Sequence, residues 1–424
     1  MHPNALLDLS TELLRSVLKL DAPADGLVSQ FFRKHRDLGA RERHTLAETT
    51  YTVLRQRQLF LHLAQLGKFG GQTSPLERRL SILAWQGNEA FLRAALNPLE
   101  QTWLAEVNLV DRSTLPDKLR HNLPDWLANP LRDTLGDEFW PLVEELNRAA
   151  PLDLRVNAMK GKREDVIQTL ADAGITAVPT PHSPWGLRID GKPALSKLDV
   201  FTQGVVEVQD EGSQLLALIT DPKRGEMVVD FCAGAGGKTL ALGACMRNTG
   251  RLYAFDVSGH RLDSLKPRLA RSGLSNVHPA QIAHERDDRV KRLVGKIDRV
   301  LVDAPCSGLG TLRRNPDLKW RQSPKALEEL QAKQAAILAS AARLLKPGGR
   351  LVYATCSLLA QENEKVADAF TAAHEADFEA LPVLAALQAA RVEGAEALVA
   401  GPYLRLWPHR HHTDGFFAAC WQRR

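Results

Sequence analysis

Cysteine is scarce in this chain, and long apolar runs are missing altogether. Five cysteines in 424 residues, an odd number scattered widely, do not make a disulfide framework, so stability must come from packing. No apolar stretch approaches the roughly 20 residues that a membrane-spanning helix needs. The opening Met1-His-Pro-Asn4 lacks the charged and then apolar pattern of a secretory leader. The expectation is a cytoplasmic protein without membrane association, in a reducing compartment where a cysteine that matters is more often catalytic than structural. Excess charge of one sign is small as well, at +5 with a pI near 8.9. That balance permits a nucleic-acid partner without requiring one. Hydrophobic residues at 44% and charged ones at 25% match globular averages and exclude wholesale disorder. A chain of 424 residues exceeds one ordinary core, which points to two or three domains. No internal repeat or low-complexity tract is present.

Strand-like alternation is absent from residues 1–150, which read as helices only. Leu6, Leu7, Leu9, Leu13, Leu14, Val17 and Leu18 recur at helical spacing behind Asn4 as a cap. Leu46 through Leu66 gives a second long amphipathic stretch and Leu80 through Leu96 a third. The texture changes at Pro151. Over residues 151–220, Leu152–Asn157 reads as a strand, Arg163–Ala173 as a helix ended by Gly174, and 175–178, 187–189 and 205–208 as short strands between Pro and Gly turns. A small α+β module is expected there. From residue 221 to 424, strands alternate with helical segments, the pattern of a parallel sheet covered on both faces. The strands are predicted at Met227–Phe231, Leu252–Phe255, Arg299–Val302 and Arg350–Ala354, with Phe416–Trp421 as a final antiparallel edge strand. The alanine-rich run 385–400 reads as a surface helix or helix pair. In such α/β sheets the ligand site lies outside the carboxyl ends of the strands, and the informative motifs fall there.

The first of these strands enters Asp230-Phe-Cys-Ala-Gly-Ala-Gly-Gly-Lys-Thr239, a turn whose glycines let a ligand approach the backbone closely. A phosphate-binding P-loop needs glycine where Cys232 stands, and a dinucleotide fingerprint needs glycine where Thr239 stands, so both patterns fail. An adenosyl cofactor without a pyrophosphate is a third reading. It needs a glycine loop at its amino-acid end and an acid after the second strand for the ribose hydroxyls, where Asp256 stands. A glycine-rich turn without a ligand is the plain alternative.

Two further strands end in cysteine motifs, Asp303-Ala-Pro-Cys-Ser-Gly308 and Thr355-Cys356-Ser357. A lone cysteine is more often a small core residue than a nucleophile, but parallel strands bring both ends to the crevice that the glycine loop faces. A helix expected after Cys356 would favour thiolate there through its N-terminal field. Inert thiols, a redox pair and a metal site compete with this reading. Zinc would want four ligands, and no CxxC or nearby His pair supplies them, so no metal is expected. Covalent chemistry at cytosine gives a reason for both thiols. Carbon 5 of cytosine is a poor nucleophile until a thiolate adds at carbon 6. An acid near the third ring nitrogen must support the developing charge, and a base must later remove the carbon-5 proton. A nucleophile, a carboxyl group and a second thiol make a consistent set.

With these motifs in their order, the chain resembles the Nop/Sun family of RNA 5-methylcytosine methyltransferases, and within it the bacterial RsmB-like rRNA enzymes. The likeness extends to Leu309-Gly-Thr-Leu-Arg-Arg-Asn-Pro-Asp-Leu-Lys-Trp320, to Val208-Gln-Asp-Glu-Gly-Ser213, to Leu154-Arg-Val-Asn157 and to Pro408-His-Arg-His-His-Thr-Asp-Gly-Phe-Phe417. From Pro151 onward it is nearly continuous. The helical start, with Ala24-Asp25, Phe31-Phe32-Arg33 and Leu38-Gly-Ala-Arg41, resembles more weakly a NusB-like domain. The resemblance implies a Rossmann-like S-adenosylmethionine-dependent methyltransferase domain over 221–424, preceded by an α+β extension over 151–220 and a NusB-like RNA-binding domain over 1–150. It implies methylation of carbon 5 of a cytosine in RNA, ribosomal RNA foremost. The sequence leaves the oligomeric state open, with a monomer favoured. Matched by position, Cys356 becomes the nucleophile, and Cys306 the second thiol, tied to proton removal or product release. Asp303 is placed between base and cofactor. Cys232, Ala233, Gly234, Ala235, Gly236, Gly237, Lys238 and Asp256 become the holders of S-adenosylmethionine.

The chain departs from the family pattern in two places. The loop has Ala233-Gly-Ala-Gly-Gly-Lys238 where the family has Ala-Ala-Pro-Gly-Gly-Lys, and no acid directly follows the strand after Asn276-Val277, where Pro279-Ala-Gln-Ile-Ala-His284 stands and Glu285 and Asp287 come later. These departures support the rival reading, a non-catalytic RNA-binding or assembly protein with a degenerate methyltransferase core. Retention of both cysteines, Asp303 and Lys238 opposes it. A DNA cytosine methyltransferase fits less well, because it carries its nucleophile in the Pro-Cys motif alone. Arg313, Arg314, Lys319, Arg321 and Lys325, after the Pro-Cys motif, are read as positioning RNA phosphates beside a flipped base. For Arg33, Lys34, Arg36, Arg41 and Arg43, a solvated face and an RNA-binding face stand side by side.

Overall fold

The computed structural model describes residues 1–67 and 74–424. The chain separates into two compact units, one of residues 1–149 with 311–324, the other of 150–310 with 325–424. Among the described residues no helix is long and apolar enough to cross a membrane.

The first unit is helical. Its helix Pro3–Val17 starts behind His2, with Pro3 at a position that needs no N–H donor, and its apolar stripe buries Leu7, Leu13 and Leu14 completely. Both longer predicted stretches are interrupted. The Leu46–Leu66 stretch divides into Ala40–Arg55 and Arg57–Leu63 around Gln56. The Leu80–Leu96 stretch divides into Leu76–Ala84 and Glu89–Ala95, because Gly87 takes a left-handed φ of 94° and Asn88 caps the new helix by accepting from Phe91 N. The helix Pro98–Asn108 opens with a capping box in which Asn97 and Glu100 each accept the other's backbone N–H.

The segment Thr311–Pro324 belongs to this helical unit. Helix Ala40–Arg55 ends with carbonyls that have no partner of their own. The Trp320 Nε1 donates to Leu54 O at 2.8 Å and Lys319 Nζ to Arg55 O at 2.8 Å. Arg55 in turn donates to Arg313 O at 3.0 Å, and the Arg313 guanidinium, 1% exposed, pairs with Glu145 at 2.5 Å. The phosphate-positioning role expected for Arg313 and Lys319 is therefore corrected. Both are buried, and burial pushes the Lys319 ammonium down to about 7. Their charges and donors are engaged in packing instead.

The second unit contains two sheets. The smaller is antiparallel in the order β2-β3-β1-β4, with β1 Leu152–Val156, β2 Ala177–Pro179, β3 Gly186–Ile189 and β4 Val206–Val208. Helix Arg163–Asp172 covers it, and Leu154, Val156, Val166, Leu170, Leu187 and Val206 form its core.

The larger sheet has nine strands among the described residues. They are β5 Met227–Asp230, β6 Arg251–Asp256, β7 Val277–Gln281, β8 Ile297–Asp303, β9 Leu345–Thr355, β10 Phe378–Leu381, β11 Val399–Ala400, β12 Tyr403–Leu406 and β13 Phe416–Arg423. Strands β7, β6, β5, β8 and β9 lie parallel in that order. Their near-continuous apolar runs, with Val228, Val229, Val300, Leu301, Leu351 and Val352 fully buried, are what a sheet covered on both faces requires. The final strand differs from the expectation. It is antiparallel but internal, held between β9 and β12. The alanine-rich run is likewise no surface helix pair. It forms one helix, Val383–Ala389, and a 3₁₀ turn, Ala395–Leu398, whose Val383, Leu387, Ala395 and Leu398 enter the core.

Candidate active site

Strands β5, β6, β8 and β9 deliver four motifs to one end of the parallel sheet. The loop after β5 is shaped by its backbone. Ala233 N–H donates to Phe255 O at 2.8 Å, and Gly236 N–H returns to Ala233 O at 2.9 Å. Gly236 has a φ of 82°, and the Leu265 side chain occupies the place where its Cβ would sit. Only glycine satisfies both conditions. The helix Gly237–Cys245 starts directly behind it. Asp256, at the end of β6, accepts from Gly234 N at 2.8 Å and Ser258 N at 2.7 Å, which fixes its carboxylate against the glycine loop.

These ends enclose a cavity of about 620 Å³, within the range of small-molecule sites. Cys232, Ala233, Gly234, Ala235, Gly237, Lys238, Asp256, Asp303, Cys306 and Cys356 all line it. Gly236 alone among the predicted residues does not, because it backs onto Leu265. The outer wall is made by Val257, Ile282, Ala283 and His284. Asp287, one of the late acids, is spent on structure, accepting from Ala283 N and Arg289 N, both at 2.9 Å.

The reactive groups are paired. Lys238 Nζ lies 2.7 Å from Asp303 Oδ2. Burial alone would lower the lysine pKa, but Asp303 and, further off, Cys356 and Asp230 raise it, so it stays protonated. The Cys306 and Cys356 sulfurs are 3.4 Å apart. The hydrogen bond to Cys356, together with burial, pushes the Cys306 thiol well above the usual range. Burial does the same for Cys232. No helix directly follows Cys356: the next one is Glu364–Ala373, so the expected N-terminal field is absent. Lys238 lines the same cavity as Cys356.

Sequence reasoning missed what holds the two cysteine loops together. Glu362 is fully buried and accepts from Ser307 N at 2.8 Å, Ser307 Oγ at 2.5 Å, Ser357 Oγ at 2.5 Å and Gln334 Nε2 at 3.0 Å. Asn363 adds bonds to Thr355 Oγ1 and Ser357 O, and Arg405 donates to Leu358 O. The polar run Gln361-Glu-Asn-Glu364, shortly after the Thr-Cys-Ser motif, was the available signal. Lys333 and Ile337 of helix Pro324–Ala342 also line the cavity.

A parallel sheet with a glycine loop after one strand, an acid after the next and a cavity across their ends defines a Rossmann-like S-adenosylmethionine-dependent methyltransferase. Comparison with known proteins gives the same class and a narrower group. The family described as 16S rRNA methyltransferase RsmB/F matches residues 217–422, and the RsmF/B-like ferredoxin-like domain matches residues 123–196. The probable ribosomal RNA small subunit methyltransferase B of Synechocystis is 33% identical over 438 residues, covering 96% of this chain and 97% of that protein. Its Bacillus subtilis namesake is 31% identical over 344 residues, covering 81% of this chain and 76% of that protein. A solved methyltransferase homolog from Pyrococcus horikoshii is 29% identical with a TM-score of 0.62, covering 74% of this chain and 100% of that one. The chain belongs to the RsmB/F methyltransferase family. It is a methyltransferase that depends on S-adenosylmethionine, and the non-catalytic alternative is set aside.

Proposed function

We propose that this protein methylates carbon 5 of a cytosine in small-subunit ribosomal RNA through a covalent bond between Cys356 and carbon 6. The observation that carries this reading is the pair of thiols 3.4 Å apart in the same cavity as the glycine loop and the Lys238–Asp303 pair.

The residues fit the cofactor. The loop from Cys232 to Lys238 offers backbone to its amino-acid end, and Asp256 keeps lone pairs for ribose hydroxyls beyond its two backbone bonds. Val257, Ile282 and Ala283 give an apolar wall suited to adenine. Bound S-adenosylmethionine supplies an electrophilic methyl sulfonium, which carbon 5 of unactivated cytosine does not attack.

Cys356, as thiolate, forms a bond to carbon 6 of the flipped base. The displaced electron pair moves through the ring toward the third nitrogen and leaves carbon 5 enamine-like. The Lys238–Asp303 pair, one ammonium and one carboxylate at 2.7 Å, holds a proton where that charge develops. After carbon 5 has gained its methyl group, Cys306, protonated beside the leaving sulfur, gives its proton to Cys356 as the bond to carbon 6 breaks. The Cys306 sulfur so freed takes the carbon-5 proton, whose bonding pair restores the double bond between carbons 5 and 6, and both thiols end protonated. Methylation of unmodified small-subunit rRNA with radiolabelled cofactor, followed by digestion to nucleosides, tests the reading. Label in 5-methylcytidine is expected, and label in any other nucleoside would overturn it.

A further inference from the structure

A second cavity, of about 480 Å³, lies where β1 and the segment before β3 meet helices Glu211–Thr220 and Gly237–Cys245 of the larger sheet. Asp221 to Arg224, which line it, precede β5, so it opens away from the strand ends that carry the thiols. Its floor is small, made by Ala217, Ala241 and Ala244, with Trp185 as a half-buried wall.

Arg155 reaches this cavity from β1 and is only 2% exposed. Its Nε donates to Gln209 at 2.6 Å, while its two terminal nitrogens meet no acceptor among the described residues and are not sealed from the cavity. Glu207, its cross-strand neighbour, is already taken by Arg268 and Arg271. Arg224, Arg247 and Arg391 stand exposed at the mouth without a carboxylate partner. The one acid, Asp221, is shared among Lys223, Arg299 and Arg350. Arg247 and Arg391 follow the ends of helices Gly237–Cys245 and Val383–Ala389 with left-handed φ values of 55° and 58°, the conformation that closes a helix C-terminus and here brings both to the mouth.

A buried guanidinium fork with free donors takes a phosphate in two parallel bonds, and an indole face beside it takes a nucleobase by stacking. We propose that this cavity is a second nucleotide site for single-stranded RNA, with one phosphate on Arg155, its base against Trp185, and the flanking phosphates on Arg247 and Arg391 at the mouth. A free nucleotide presents the same chemistry, and the test separates the two sources.

Cys245, half-buried in the same cavity, serves as reporter in the full-length protein. Its alkylation by N-ethylmaleimide is followed by peptide mass spectrometry, with a single-stranded hexaribonucleotide, adenosine monophosphate and inorganic phosphate as probes. At about ten times its Kd, a bound probe slows alkylation about tenfold. The Arg247→Asn/Arg391→Asn double variant, whose asparagines tolerate the left-handed backbone, loses that protection. Protection by the hexaribonucleotide alone assigns the cavity to an RNA strand. Equal protection by adenosine monophosphate assigns it to a free nucleotide. Protection by inorganic phosphate to the same extent, protection that persists in the double variant, or none from any probe overturns the proposal. Fluorescence anisotropy with the labelled hexaribonucleotide gives a second readout. The slope of log affinity against log salt becomes shallower by about 1.4 in the double variant, the share of two phosphate contacts on a single strand, and an unchanged slope contradicts the strand assignment.

Discussion

Cys306 and Cys356 carry the same thiol but meet different neighbours. The two sulfurs lie 3.4 Å apart; the contact with Cys356 and burial hold the Cys306 thiol well above its usual range, and Lys238, paired with Asp303, lines the same cavity as both. A thiolate is the nucleophile in such chemistry, so the arrangement favours unequal roles for the two sulfurs. Their spacing depends on Glu362, which joins Ser307 of one loop to Ser357 of the other. Glu362→Ala removes the carboxylate that Ser307 N–H, Ser307 Oγ, Ser357 Oγ and Gln334 Nε2 share, a loss of about 1–3 kcal/mol. The variant is expected to melt at lower temperature and to lose kcat by about tenfold or more, with the KM for RNA little changed. Glu362→Gln, which keeps one carbonyl acceptor, should recover part of both. A rise in KM for RNA with kcat unchanged, measured by steady-state methylation, would place Glu362 in substrate binding instead.

At the scale of elements, β5 ends in Asp230, fully buried with Oδ2 accepting from Thr239 Oγ1 at 2.7 Å and Oδ1 without a partner. Burial raises its pKa to about 7, against about 3.9 in an unfolded chain. A carboxyl raised in this way contributes stability that is fully present below about pH 4 and lost as pH rises through about 7. Asp230→Asn keeps an acceptor for Thr239 and cannot ionise. Its urea midpoint should vary less than that of the wild type between pH 4 and 8 and exceed it above pH 7, and parallel pH profiles would show that Asp230 does not carry the dependence. The strands themselves were legible, because apolar runs bounded by Gly and Pro leave few alternatives. So was the meeting of the glycine loop, Asp256, Asp303 and both cysteines, since parallel strands must end together. The internal place of β13 was not, because pairing on both edges depends on strands far apart in sequence. The field expected at Cys356 failed for a local reason. Residues 357–363 spend their polar groups on the Glu362 and Asn363 bonds, which compete with a helical turn.

At the scale of the whole molecule, the return of Thr311–Pro324 to the helical unit changes what a truncation would show. A chain beginning at Ala150 lacks the partners of Arg313, Lys319 and Trp320, so this segment is expected to loosen. Trypsin should then cut early after Lys319 or Arg321 while the full-length protein resists there, and equal resistance would show that the segment holds its own structure. RNA affinity lost on such truncation therefore would not by itself locate RNA binding in residues 1–149. The covalent route through Cys356 is tested most directly in the intact chain. Full-length wild type, Cys306→Ala and Cys356→Ala are each incubated with S-adenosylmethionine and substrate RNA, then resolved by denaturing electrophoresis. The account predicts that Cys306→Ala accumulates a covalent protein–RNA species and Cys356→Ala forms none. A trapped species in Cys356→Ala but not in Cys306→Ala, or in neither, would contradict it.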